Sequence, residues 1–302
     1  MNKMKKLFAL MITFALTAST LLGCGTGIGT TGEDSSSTET KIFTLGDTTF
    51  NAENEEATID PHDTYCGWPA VRYGVGETLF KFNDSMELEP WLAESYENID
   101  DLTWKITLKD GVTFSNGKPV DGAAVKACIE DLVAVHDRAA GDLAIDSIEA
   151  DGLTVTIVTT VPKPTLINYL CDPYGAIIDV TEGNDGGIVV GTGPFVATEL
   201  VTEDHINLVK NENYWDGDVK LDEVKVITIS DGDTLAMALQ NGDIDAAYGM
   251  AYASYLLFEN EDYTFSSTAT SRAFYLQMNY NADIIADDAV REAIAMGIDK
   301  DS

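Results

Sequence analysis

The sequence predicts an α/β protein built from more than one lobe. Stretches with a two-residue apolar period alternate along the chain with stretches of helical period. The plainest case of the first is Thr103–Leu108, where Trp104, Ile106 and Leu108 share one side; of the second, the recurrence of Val125, Cys128, Ile129, Leu132 and Val133. Two further runs, Phe195–Leu200 and Ile206–Lys210, joined by the polar turn Thr202–Asp204, read as a β-hairpin. With 302 residues, the chain is long enough for a sizeable core and a second lobe.

The first 24 residues have the layout of a secretory signal. Lys3, Lys5 and Lys6 precede an apolar run, Leu7 to Leu22, broken only by Thr and Ser and short for a membrane span. It ends in Leu21-Leu22-Gly23-Cys24, which resembles a bacterial lipobox and implies that Cys24 is lipidated as the first residue of the mature protein. The alternative is a plain secretory signal with an incidental cysteine. Residues 25–40, mostly Gly, Ser and Thr with a few acids, cannot bury a core and are expected to form a flexible tether.

Charge excludes one class of partner. Acidic residues number 51 against 18 Lys and Arg, a formal net charge of −33, and three of those lysines lie ahead of Cys24. Nucleic acid, whose phosphates demand a basic face, is therefore excluded, and docking on an anionic membrane is disfavoured except through a lipid. Cys66, Cys128 and Cys171 show no CxxC spacing, and His62, His136 and His205 are scattered, so no disulfide framework, metal site or cofactor is predicted. Cys128 falls on the apolar helix face and reads as core.

In chain order, Lys41–Gly46 reads as a first strand, and Asp60-Pro61 breaks regular structure before a loop rich in polar and aromatic side chains, Asp63 to Trp68. Pro69 to Phe80 reads as a helix. Asn116-Gly117 marks a tight turn, Asp121 is placed to cap the helix behind it, and that helix is expected to run to Arg138. Thr154–Thr159 lies in another alternating strand, and Pro164 to Tyr169 begins a short helix that Cys171-Asp172-Pro173-Tyr174 ends. Gly191, Gly193 and Pro194 read as a tight turn in which glycine supplies positive φ. Val224–Ile229 reads as a strand, Asp231–Leu239 as a helix, Arg272–Asn281 as a strand, and Val290–Ile298 as a helix with an apolar face of Val290, Ala293, Ile294 and Gly297.

Gly-Thr-Gly-Pro-Phe at 191–195, followed by a strand pair and Leu-Val-Lys-Asn-Glu-Asn-Tyr-Trp-Asp-Gly at 208–217, resembles the central signature of the extracytoplasmic solute-binding proteins of the peptide, nickel and opine ABC importers (family 5). The stretch LTWKITLKDGVTFSNGKPVDGAAVKACIEDL is the most specific match; Leu88–Tyr96, Asn241–Ala247, Arg272–Asn281 and Asp287–Lys300 also fit, in order. The resemblance implies a type II periplasmic-binding-protein-like two-lobed α/β fold, present as an N-terminal fragment. Residues 41–80 and 191–272 would form the first lobe, 81–190 its inserted subdomain, and 273–302 the start of the second lobe. It implies a monomer, anchored outside the cell membrane by lipid, that captures an oligopeptide, nickel or a nickel chelate and hands it to permease subunits, performing no chemistry on it.

The resemblance also implies site residues. Tyr65 and Trp68 lie on the loop that faces the ligand in the family, Arg138 matches a cleft-lining arginine of nickel-binding members, and Tyr174 falls where a cleft-facing residue sits. Trp68 packing the following helix, and Arg138 as a solvated arginine at a helix end, stay open as structural alternatives. Some nickel-binding members carry arginine near residues 172–175, where this chain has Asp172 and Gly175. Two rival functions are a surface peptide receptor that signals without transport and a secreted hydrolase; against the latter, the chain has no GxSxG elbow, P-loop, HExxH or GxGxxG motif. Replacing Cys24 by Ala should release the protein from the membrane fraction, and retention there would make the apolar run an uncleaved anchor.

Overall fold

The computed structural model describes residues 40–50, 58–184, 186–259, 262–266 and 275–299. The signal segment, Cys24 and the tether up to Glu39 lie outside the described residues.

Strand β1 (Ile42–Asp47) opens the folded chain, followed by α1 (Gly67–Arg72), β2 (Phe80–Phe82), β3 (Leu88–Pro90), β4 (Ala93–Asn98) and β5 (Thr103–Leu108). Helices α2 (Gly122–Val135) and α3 (Ala139–Leu143) lead into β6 (Ile145–Asp151) and β7 (Thr154–Thr159), and α4 (Leu166–Tyr169) into a 3-10 turn at Pro173–Gly175. The chain returns through β8 (Phe195–Val201), β9 (His205–Lys210), β10 (Glu223–Thr228), α5 (Gly232–Asn241) and β11 (Ala246–Tyr248). A 3-10 segment, Tyr252–Phe258, precedes α6 (Asp283–Ala286) and α7 (Asp288–Gly297).

Two larger sheets and an antiparallel β2–β3 pair organise these elements. The mixed sheet has the order β11-β1-β10-β9-β8, with β1 parallel to both neighbours and the β8–β9 hairpin antiparallel at one side. A parallel partner needs a crossover; here the crossover from β1 to β10 contains the second sheet, β4-β5-β7-β6, which is wholly antiparallel. One apolar core joins the two. Ile106, Leu108 and Ile157 enter it from the antiparallel sheet, and Ile206, Leu208 and Val226 from the mixed one.

Helix α2 forms where its period predicts. The Asp121 carboxylate accepts the Ala124 N–H at 2.9 Å, satisfying one of the donors that a helix start leaves unpaired. Val125, Cys128, Ile129 and Leu132 are buried. The helix stops at Val135, where His136 turns extended, so Arg138 stands beyond it at the entry to α3 rather than on its last turn. The helix expected over Pro69–Phe80 is also shorter, because Gly74 takes φ +70° and turns the chain after α1. Residues 275–281 lie in no strand, and the rest of the strand read at Arg272–Asn281 lies outside the described residues. Helix α7 has no buried residue.

Gly191 and Gly193 are needed for a different reason than positive φ, which neither adopts. A Cβ on either would collide with backbone, at Val75 O for Gly191 and Gly74 O for Gly193. Their absence lets the Gly193 N–H donate to Val75 O at 3.0 Å and the Phe195 N–H to Gly74 O at 2.9 Å.

The asparagines and aromatics of 211–215 clamp this crossing. Asn211 Nδ2 donates to Gly193 O at 2.8 Å, Asn213 Nδ2 to Ser115 O at 2.8 Å, and the Thr113 hydroxyl to Asn213 O at 2.8 Å. Tyr214 OH and Trp215 Nε1 donate to the two carboxylate oxygens of Glu77, at 2.9 and 2.7 Å. Glu77 is 1% exposed. Burial pushes its carboxyl above the ordinary range, and the Trp215 and Tyr214 donors oppose that shift without cancelling it. A raised carboxyl pKa means that the folded state holds the proton longer than the unfolded one, so this group's contribution falls as pH rises from the ordinary carboxylate range through the folded value. Glu77→Ala should cost on the order of 2 kcal/mol in denaturant unfolding near neutral pH, by removing the acceptor of two part-buried donors. It should also abolish that falling component, and an unchanged stability would show that the clamp does not depend on the carboxylate.

Candidate functional site

The loop after Asp60-Pro61 is built by short-range hydrogen bonds. Asp60 Oδ1 accepts the His62 N–H at 2.9 Å, Asp63 O accepts the Cys66 N–H at 2.9 Å, and Thr64 takes a left-handed φ of +45°. Two histidines tie it to the α2 region. His62 Nδ1 lies 2.8 Å from Asp131 Oδ2, and His136 Nε2 lies 2.9 Å from Thr64 O. Because a carbonyl only accepts, His136 carries its proton on Nε2, which leaves Nδ1 to accept the Arg138 N–H at 3.2 Å.

Three layers stack behind the loop. The His136 ring lies 4.7 Å from that of Tyr174, tilted by 41°, and the Arg138 guanidinium carbon sits 5.2 Å from the Tyr174 centroid, within cation–π range. Tyr174 OH donates to Asp142 Oδ2 at 3.3 Å. Burial, then the neighbouring Asp142 and Asp172 charges, hold the phenol well above its usual range, so it stays protonated. Arg138 Nη2 donates to Asp172 Oδ2 at 3.2 Å, while Asp172 Oδ1 accepts the Tyr174 N–H and caps the Pro173–Gly175 turn. Gly67 packs on the Pro173–Tyr174 backbone so closely that a Cβ would not fit.

These contacts draw the segments of Tyr65, Trp68, Arg138 and Tyr174 into one patch, in unequal roles. Tyr65 and Trp68 are 69% and 47% exposed, and the Arg138 side chain is half exposed. Tyr174 is 2% exposed and lies beneath, bracing Arg138. The sequence reading missed His136, counted only as one of three scattered histidines, and Asp172 as the partner of Arg138. The Val135-His136-Asp137-Arg138 run after an amphipathic helix was the available signal for His136, whereas Asp172, 34 positions from Arg138, had none.

A hollow of about 370 Å³ adjoins the patch between loop and α2, lined by Asp60, His62, Asp63, Asp131 and Asn184 among others. Cys128 Sγ lies 3.6 Å from His62 Nε2, so that Cys128, His62 and Asp131 stand in the order nucleophile, base, acid. Cys128 is 1% exposed, however, and its sulfur is held between the Ile178 N–H and Ala176 O. Burial pushes the thiol up to about 12, which leaves it protonated and out of reach of a substrate. Among the described residues, no group of three or more His, Cys, Asp or Glu side chains is placed to hold a metal ion, and no helix is long and apolar enough to cross a membrane.

The model of the bacterial extracellular solute-binding proteins, family 5 (middle part), matches residues 87–302, and the chain belongs to this family. Its members are extracytoplasmic binding proteins of ABC importers rather than enzymes. Over 172 residues it is 34% identical to the nickel-binding protein NikA of Staphylococcus aureus, covering 57% of this chain and 35% of that protein. With the glutathione-binding protein GsiB of Salmonella paratyphi A it shares 30% identity over 264 residues, 80% of this chain and 50% of the relative. A crystal structure of a nickel ABC transporter protein from Bacillus halodurans superposes with a TM-score of 0.72 at 35% identity, over 86% of this chain and 54% of that one. The NikA of Staphylococcus aureus in complex with Ni(L-His)2 gives a TM-score of 0.62 at 31% identity, covering 68% of this chain and 42% of that one. The fold is therefore that of the type II periplasmic binding proteins, and the chain spans about half the length of the relatives it matches.

His136 can be tested apart from any ligand. His136→Ala should speed amide exchange at Cys66 and Trp68, whose N–H groups close the loop, while leaving the strands protected. Unchanged exchange at both would mean that the loop holds without its tie to Thr64.

Proposed function

We propose that the complete protein is the capture subunit of an ABC importer, lipid-anchored through Cys24 and tethered by residues 25–40, which delivers its ligand to membrane permease subunits. Residues 41–80 and 191–272 would make the first lobe, 81–190 its inserted subdomain, and 273–302 the start of the second. A ligand that binds better when the lobes are closed shifts the protein towards that state, which the permease then recognises. In this reading the ligand is an oligopeptide or a nickel chelate that bears a carboxylate. Tyr65 and Trp68 cover it, and Arg138 pairs with it.

The observation that carries this is the Arg138 guanidinium. It is held over Tyr174 and fixed by one Nη2 contact, which leaves Nε and Nη1 without a hydrogen-bond partner among the described residues. Arginine presents a planar donor fork that suits a carboxylate. Relatives described as binding nickel, dipeptides and glutathione support the same ligand classes.

Arg138→Ala in the full-length protein should weaken binding of the nickel–histidine complex or of peptides, measured by calorimetry, by more than tenfold. That corresponds to the roughly 1.5–3 kcal/mol of a hydrogen bond to a charged group. The melting temperature should not change. Equal affinity in variant and wild type would make Arg138 a surface residue.

A further inference from the structure

The partner of Arg138 gives the patch a second charge. We propose that Arg138 and Asp172 together form a receptor for a free α-amino-acid head group, an ammonium and a carboxylate on one carbon, and that Asp172 sets selectivity against ligands that carry the carboxylate alone. This rests on the reading of Arg138 as a ligand contact and names the class of ligand that the contact takes.

The geometry supplies both halves. Arg138 Nη2 and Asp172 Oδ2 are 3.2 Å apart, so donor and acceptor stand side by side as they do on a zwitterionic carbon. The contact is single. Nε and Nη1 of Arg138 point to no acceptor among the described residues, and each Asp172 oxygen, having accepted one hydrogen bond, retains a lone pair. Both side chains are reachable, Arg138 at 50% and Asp172 at 26% exposure.

Both are also held in place. Arg138 rests on the buried Tyr174 ring, and Asp172 is fixed by capping the turn that carries that ring. Fixed, adjacent charges are pre-organised, so a ligand does not have to order them on binding. A carboxylate arriving alone meets an arginine already paired and faces repulsion from Asp172, with the Asp142 carboxylate behind Tyr174 adding to it. A head group that brings its own ammonium offers Asp172 a replacement partner while its carboxylate takes the free side of the guanidinium. No net charge is then left unpaired.

The test compares glutathione, which has a free α-amino-acid head, with N-acetylglutathione, in which that ammonium is blocked, by calorimetry on full-length protein. Wild type should prefer glutathione by tenfold or more. Asp172→Asn keeps the cap, since Asn Oδ1 still accepts the Tyr174 N–H, and removes the charge. It should bring the preference close to one, mainly by tighter binding of the acetylated form. A wild type that binds both equally, or an unchanged preference in Asp172→Asn, overturns the proposal. So does failure of wild type to bind glutathione while the nickel–histidine complex still binds in an Arg138-dependent way, and in that case the proposed function stands without it. If Arg138→Ala leaves every affinity unchanged, the underlying reading fails as well.

Discussion

A buried carboxylate holds this structure together. Glu77 sits between the turn after α1 and the 211–215 segment, and without Tyr214 and Trp215 its charge would be stranded in an apolar interior. Leaving either partner unmatched is costly, so the three side chains fix one mutual arrangement. Around it the backbones of Gly74–Val75 and Gly191–Gly193 approach as closely as glycine permits, and Asn211 and Asn213 bond the remaining carbonyls. The crossing fastens the mixed sheet, entered at β8 and left at β1, to the long excursion that contains the antiparallel sheet.

The candidate site uses that rigidity. Two of the ties of its loop, His62 to Asp131 and His136 to Thr64, run to α2 and its end. Helix α2 is in turn fixed by an apolar face buried against the antiparallel sheet. Polar groups that would otherwise be mobile are thus referred to a packed core. The charge pattern follows the same logic. In a chain with net charge −33, an arginine that is half exposed has no shortage of distant counter-ions, yet Arg138 is held by one specific aspartate and one buried ring.

One constellation of the interior has the residue types of a catalytic relay. Cys128, His62 and Asp131 have the spacing of a nucleophilic relay, but the thiol is enclosed and protonated, and its hydrogen bonds run to the backbone of 176–178. In this setting the relay is a way of satisfying a buried histidine. The same three residue types, with sulfur at the surface, would read as a catalytic site, which shows how far burial decides what a constellation does.

The sequence by itself determined the α/β class, the β8–β9 hairpin, the capped helix behind Asp121 and the family signature, because each rests on local period, turn chemistry or a contiguous motif. Through the family resemblance it also offered Tyr65, Trp68, Arg138 and Tyr174 as cleft candidates, of which Tyr174 is buried beneath Arg138 rather than exposed. What it misjudged was set by contacts remote in the chain. Gly191 and Gly193 looked like turn glycines, and only their packing on Gly74 and Val75 shows that what they provide is room for another backbone. His136 and Asp172 looked unremarkable because their partners, Thr64 and Arg138, lie 72 and 34 positions away. Local pattern records what a residue does to its own element, whereas the pairing of side chains across a core is fixed only once the elements have packed.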